Sequence, residues 1–188
     1  MAVFLVYAAF IICYFKVEKE KMIEIEPVVA GPLETNSYLV SDETGKALII
    51  DAPMDSTQSL MAAIRRKGLH VEGIVLTHSH WDHTADAAEL KRQTGAKVYV
   101  HQADAYRLRE PNKFTIMRMP FDLEAMEPDV MLNGGETIEF GSEKLEVIAT
   151  PGHTEGGICL VSQSSKAIFS GDTLFCRSIG RYDLPGGS

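Results

Sequence analysis

The ten residues Thr77–Asp86, THSHWDHTAD, place His78, His80, Asp82 and His83 within six positions. Half of the chain's six histidines stand in this one stretch. Helical geometry cannot bring His78 and His80 onto one point, because residues two apart on a helix point about 200° away from each other. The i, i+4 histidine pair of a helix-borne metal motif is also absent. An extended loop can turn both side chains toward one centre, while Asp82 and His83, opening the next helix, can face a second. The spacing therefore favours a loop serving two neighbouring ions.

The flanking sequence predicts where that loop lies. GIVLT (73–77) is a short apolar run suited to a strand buried on both faces. The ligand-rich segment thus sits at a strand end, and TADAAELKRQTG (84–95) reads as the following helix. Upstream, IEIEPVV (23–29), NSYLV (36–40) and KALIID (46–51) read as strands. STQSLMAAIRRKG (56–68) reads as a helix that Ser56 can cap and Gly68 ends. Downstream come a strand at 97–100 and a helix at 102–109. An irregular span at 110–130 follows, carrying Pro111, Pro120 and Pro128, a candidate lid or crossing loop. The remainder changes to consecutive strands: ETIEF, KLEVIAT, GICLVS and KAIFSGD. Strands with interspersed helices, then a strand-rich half, imply a layered sheet protein with helices outside.

Two further ligand-grade residues follow predicted strands. His153 stands in IATPGHTEGG and Asp172 in FSGDTLF. Three histidines can hold one ion and a carboxylate can bridge to the other. His70 and His101 have no ligand neighbours in sequence and read as ordinary histidines. Cys176 reads as a loop thiol, and Trp81 as packed behind the ligand loop or lining a pocket. Arg177 and Arg181, near the Asp172 loop, are candidates to receive an anionic substrate group.

These motifs carry a family resemblance. HSHWDH is similar to the HxHxDH signature of the metallo-β-lactamase superfamily, and PGHT and GDTLF resemble its later ligand motifs. TNSYLV and ALIIDAP resemble its early strands, and SIGRYDLPGG resembles its glyoxalase II-like hydrolases. The similarity runs from about residue 24 to the last residue. The resemblance implies an α/β fold, a four-layer αββα sandwich with the metals at one edge between two sheets. It assigns His78, His80 and His153 to the first metal, Asp82 and His83 to the second, and Asp172 to the bridge. The family takes one more second-metal histidine from a PGH-type motif beyond GRxDLPGG. On this reading the domain, residues 22–188, is expected to be cut short at its C-terminus.

The implied chemistry is hydrolysis by a metal-bound hydroxide, since a zinc-like ion lowers the pKa of its water to about 7. Two divalent ions less Asp82, Asp172 and one hydroxide leave a net of about +1, which attracts an oxyanion. Asp82 can also orient the hydroxide. Zinc is the expected metal, and iron and manganese also suit these ligands. The glyoxalase II-like resemblance implies a small thioester substrate such as S-D-lactoylglutathione. The basic glutathione-gripping segment of long family members is not identifiable. Other readings are an iron-dependent persulfide dioxygenase, a lactonase, or an inactive metal-binding fragment. A β-lactamase is disfavoured by Asp172, where a zinc-binding cysteine is common in one large class.

Composition bounds the rest. The chain has 188 residues, 45% hydrophobic and 23% charged, which suits one well-cored domain. A net charge of -8 argues against a nucleic-acid surface. Three scattered cysteines, Cys13, Cys159 and Cys176, suggest reduced thiols and a cytoplasmic location. The segment 1–21 opens with fifteen apolar residues, MAVFLVYAAFIICYF. As a helix these reach about 22 Å, short of the roughly 30 Å hydrocarbon core. A misassigned start before Met22, a short anchor leaving the domain in the cytoplasm, and a signal peptide remain open. Only the anchor would give a membrane contact.

Overall fold

The computed structural model describes residues 22–115 and 120–188. The described residues open with an antiparallel meander of β1 (Glu24–Ala30), β2 (Thr35–Ser41) and β3 (Lys46–Ile50). The chain then alternates through α1 (Thr57–Lys67), β4 (His70–Val75), α2 (Trp81–Thr84), α3 (Ala87–Thr94), β5 (Lys97–His101), α4 (Ala105–Arg109), α5 (Pro111–Phe114) and β6 (Val130–Leu132). Strands β3 to β6 are parallel, so the six-stranded sheet runs in chain order. Parallel neighbours require crossovers, and the helices provide them. A second, antiparallel sheet follows, built from β7 (Thr137–Phe140), β8 (Glu143–Ala149), β9 (Ile158–Ser162) and β10 (Ala167–Phe169) in the order β10-β9-β8-β7. A two-stranded ribbon, β11 (Leu174–Phe175) with β12 (Ser178–Ile179), comes last.

Two cores hold these layers together. On one face of the six-stranded sheet, Leu39, Ile49, Ile74 and Leu76 meet Leu60 and Ile64 of α1, Leu90 of α3 and Leu108 of α4. On its other face, Val40, Leu48, Ile50 and Val75 meet Ile138, Phe140, Leu145, Val147, Ile158 and Leu160 of the second sheet. Each such side chain contributes on the order of 1.5–3 kcal/mol by leaving water. The expected two-sheet sandwich is therefore observed. Ile148 and Ile168, on the outer face of the second sheet, are exposed, and no helix covers them among the described residues.

Several local expectations change. The helix expected over 84–95 is two pieces, broken at Ala85 and Asp86. Asp86 stops the run because its backbone amide donates to the Ala52 carbonyl while its carboxylate accepts from the amide and hydroxyl of Thr57. Those bonds also replace the cap expected from Ser56, which makes no side-chain cap bond. The span read as irregular, 110–130, holds α5, and the unexpected strand β6 starts at its last residue, paired to β5. Residues 116–119 of that span, and the apolar N-terminal segment, lie outside the described residues. Among the described residues, no helix is long and apolar enough to cross a membrane.

Candidate metal centre

The loop after β4 is anchored before it turns. Thr77 accepts at its carbonyl from the Ile158 amide of the second sheet, 2.8 Å away. It donates from its own amide and hydroxyl to the two oxygens of Asp51, at 2.7 and 2.8 Å. The loop is thus tied to both sheets where their ends meet. Gly171, at φ 49°, lies so close to Thr77 that an added Cβ would stand 2.3 Å from the Thr77 hydroxyl. Only glycine permits that approach, and it sets Asp172 over the histidines.

The structure brings together all six residues singled out in the sequence. Ligand atoms of His78, His80 and His153 all lie within 4.8 Å of one another, and so do those of His78, His83 and Asp172. Nδ1 of His80 is 2.9 Å from Nε2 of His153. Asp172 spans the two groups, with Oδ1 3.1 Å from His83 Nε2 and Oδ2 3.5 Å from His153 Nε2. Asp82 joins from the start of α2, its Oδ2 3.6 Å from His83 Nε2 and 3.4 Å from the Thr35 hydroxyl, which donates to it.

The donor set fits metal ions. His78 Nε2 is buried with no hydrogen-bond partner among the described residues, an orphan that an ion would satisfy. His153 donates from Nδ1 to the Arg181 carbonyl at 2.6 Å, which leaves the Nε2 lone pair facing the group. Burial holds His78 well below its ordinary value, helped by the neighbouring histidine charges. Burial, with the His153 charge beside it, lowers His80 to about 4. Both rings are therefore neutral and ready to ligate at pH 7. His83 differs. Burial alone would lower it, but the Asp51 charge and hydrogen bonds to Asp172 and Asp51 push it up to about 10. For Asp172, burial opposes ionisation, but its hydrogen bond to His83 and the surrounding histidine charges hold it below the usual carboxylate range.

Two buried carboxylates outside the sequence-derived set support this arrangement. Asp51, 2% exposed, receives His83 Nδ1–H at 2.8 Å as well as both bonds from Thr77. It adopts φ 60°, a left-handed conformation costing an L-residue roughly 1–2 kcal/mol. Asp104, fully buried, accepts from Ser79 and Thr154, the residues beside His78 and His153. Asp51 had a readable signal, since it ends an apolar strand in KALIID just as Asp172 follows KAIFS. Asp104 had none, because it falls inside the helix expected at 102–109, where an acidic residue is unremarkable.

His80, Asp82, His153 and Asp172 line the floor of a cavity of about 410 Å³. Its walls are largely apolar: Leu33, Trp81, Phe114, Leu123, Phe175 and Leu184. Trp81 lines this space and meets Phe121 edge-on instead of packing behind the loop. Arg181 reaches the cavity, with its guanidinium paired to Asp183 at 2.8 and 2.9 Å. Arg177 stands exposed in the turn between β11 and β12 and is not brought to the wall. Cys176 is exposed in the same turn. His70 is exposed at the start of β4, and His101 bonds the Asn133 carbonyl.

Comparison with known proteins agrees with this geometry. The sequence model of the Metallo-beta-lactamase superfamily matches residues 30–188. A relative from Haemophilus influenzae, hydroxyacylglutathione hydrolase GloC, is 33% identical over 168 residues, covering 88% of this chain and 77% of its own length. Among solved structures, the BLEG-1 B3 metallo-β-lactamase superposes with a TM-score of 0.78 at 29% identity, over 87% of this chain and 79% of that one. TTHA1623, solved in a di-iron-bound form, superposes with a TM-score of 0.67 at 33% identity, over 86% and 79%. This chain belongs to the metallo-β-lactamase superfamily of metal-dependent hydrolases.

Proposed function

We propose that the chain hydrolyses small thioesters at a two-metal centre. His78, His80 and His153 would hold one divalent ion, Asp82 and His83 would hold the other, and Asp172 would serve both. The split of the Asp172 carboxylate between His83 and His153 carries this reading, because one carboxylate facing two ligand groups is the arrangement a bridge requires. When bound, such ions supply a hydroxide nucleophile near neutral pH and positive charge for the developing oxyanion.

The chain's own residues do the rest. Asp82, at the cavity floor, accepts a hydrogen bond from the attacking group and orients it. The apolar walls take the acyl chain and limit water around the carbonyl. A thiol has a pKa near about 8.5, so its thiolate departs without a strong acid beside it. Similarity to the hydroxyacylglutathione hydrolase supports a thioester, with S-D-lactoylglutathione as the first substrate to try. Similarity to the di-iron protein supports testing iron beside zinc and manganese.

The test is thiol release, followed with a disulfide dye, from S-D-lactoylglutathione and acyl N-acetylcysteamine thioesters. The protein is stripped and reloaded with each metal. Release that a chelator abolishes and metal restores is expected. A protein carrying two ions that cleaves none of these thioesters overturns the proposal.

A further inference from the structure

Asp104 occupies the position before helix α4 where an aspartate ordinarily caps the first amides. Here its side chain makes no cap bond. Both oxygens are spent elsewhere, with the residue fully buried. Oδ2 accepts from the Ser79 amide and the Thr154 hydroxyl, each at 2.9 Å. Oδ1 accepts from the Gly156 amide at 2.8 Å and from Arg107 Nη1 at 3.1 Å.

The choice of donors is informative. Ser79 lies between His78 and His80, and Thr154 follows His153 directly. One carboxylate therefore ties together the two loops that deliver the three histidines, which are 73 residues apart in sequence. Arg107, 5% exposed, extends the tie, donating from Nη2 to the Pro185 carbonyl at 3.0 Å and pairing with Glu155 at 2.9 Å. Gly156 approaches so closely that a Cβ there would stand 2.7 Å from the Asp104 Cβ. Asp51 bonds His83 directly and also the amide and hydroxyl of Thr77, whose hydroxyl lies 3.3 Å from His78 Nδ1. It therefore reaches both groups, whereas the Asp104 donors flank only the three histidines.

We infer that Asp104 is the positioning residue of the three-histidine centre. It fixes the distance between the His78–His80 loop and the His153 loop without contacting the ion. Groups that orient ligands in this way change metal affinity by 10–100-fold when altered. The inference rests on the proposed two-metal site.

An Asp104→Asn substitution replaces one acceptor oxygen by an NH₂ group, so at least one buried donor loses its bond whichever way the amide turns. The test is zinc affinity by chelator competition in two backgrounds. His83→Ala retains the three-histidine group, and His80→Ala retains the second group. We expect Asp104→Asn to weaken zinc 10–100-fold in the first background and by less than twofold in the second, with Asp51→Asn weakening it in both. Thr154→Val, which keeps the carboxylate and removes one donor, is expected to weaken zinc severalfold in the first background alone. It carries the test if Asp104→Asn does not fold. Unchanged affinity in the His83→Ala background, or equal loss in both, overturns the inference. A parent chain that binds no zinc at all overturns the two-metal reading and this one with it.

Discussion

Nδ1 of His83 lies 2.8 Å from Oδ2 of Asp51, and the same ring offers Nε2 to Asp172 at 3.1 Å. Two carboxylates on one imidazole make it a cation in the metal-free protein, with its pKa pushed up to about 10 although burial works against the charge. A ligating nitrogen must shed its proton, so filling this centre at pH 7 releases about one proton from His83. The three-histidine centre releases none from His78 or His80, which are already neutral. Zinc titration calorimetry in buffers of different ionisation heats gives the count directly. His83→Ala is expected to remove the released proton, and an unchanged count in that variant contradicts the assignment.

The same groups set the pH response of the metal-free protein. His83 is raised from 6.5 to about 10, so its contribution is complete below pH 6.5 and lost as pH climbs through about 10. His80 is lowered from 6.5 to about 4, so its contribution is present above pH 6.5 and lost as pH falls through about 4. Thermal unfolding in chelator is therefore expected to weaken on both sides of pH 6.5. His83→Gln should flatten the alkaline limb, and His80→Gln should make the acid limb shallower, with the remainder left to His78. An alkaline limb that persists in His83→Gln rules out this cause.

Asp172 faces both histidine groups, and an amide in its place offers one oxygen in place of two. Asp172→Asn is expected to retain one ion per chain, bound by His78, His80 and His153, and to lose the second. Activity should drop about 100-fold or more, which is ~2.7 kcal/mol at 1.36 kcal/mol per decade. Metal analysis beside kinetics decides it: a variant with two tightly held ions and near-normal turnover excludes a bridging role.

Gly171→Ala probes the backbone beneath that carboxylate. Its φ of 49° and the Thr77 hydroxyl 2.3 Å from an added Cβ both oppose any side chain. The loss is expected at roughly 1–3 kcal/mol, read by urea unfolding, with weakened metal binding because Asp172 moves with its neighbour. A stable variant with normal metal content would show that the loop relaxes freely.

The sequence made the six-residue set legible because strand ends are marked by apolar runs and ligand residues by type. The strands β1 to β5 were legible from the same alternation, but their order in the sheet was not. What stayed hidden depends on contacts between distant segments. The break at Asp86 comes from bonds to Thr57 and Ala52, and no local pattern encodes them. Strand β6 is three residues that earn their strand state only by pairing with β5. Asp104 went unremarked inside the helix expected at 102–109, because its donors are up to 52 residues away.

The cavity gives a prediction about the acyl group. Leu33, Trp81, Leu123, Phe175 and Leu184 form an apolar wall above the ligand floor, and the Arg181 guanidinium that reaches it is paired with Asp183. Each buried methylene contributes ~0.8 kcal/mol, about fourfold in kcat/KM. Across acetyl, butanoyl and hexanoyl N-acetylcysteamine thioesters, kcat/KM is expected to rise until the cavity is full. Phe175→Ala, which removes a large apolar part of that wall, should flatten the series. A flat series in the parent protein, beside rapid cleavage of S-D-lactoylglutathione, would instead place recognition on the thiol side.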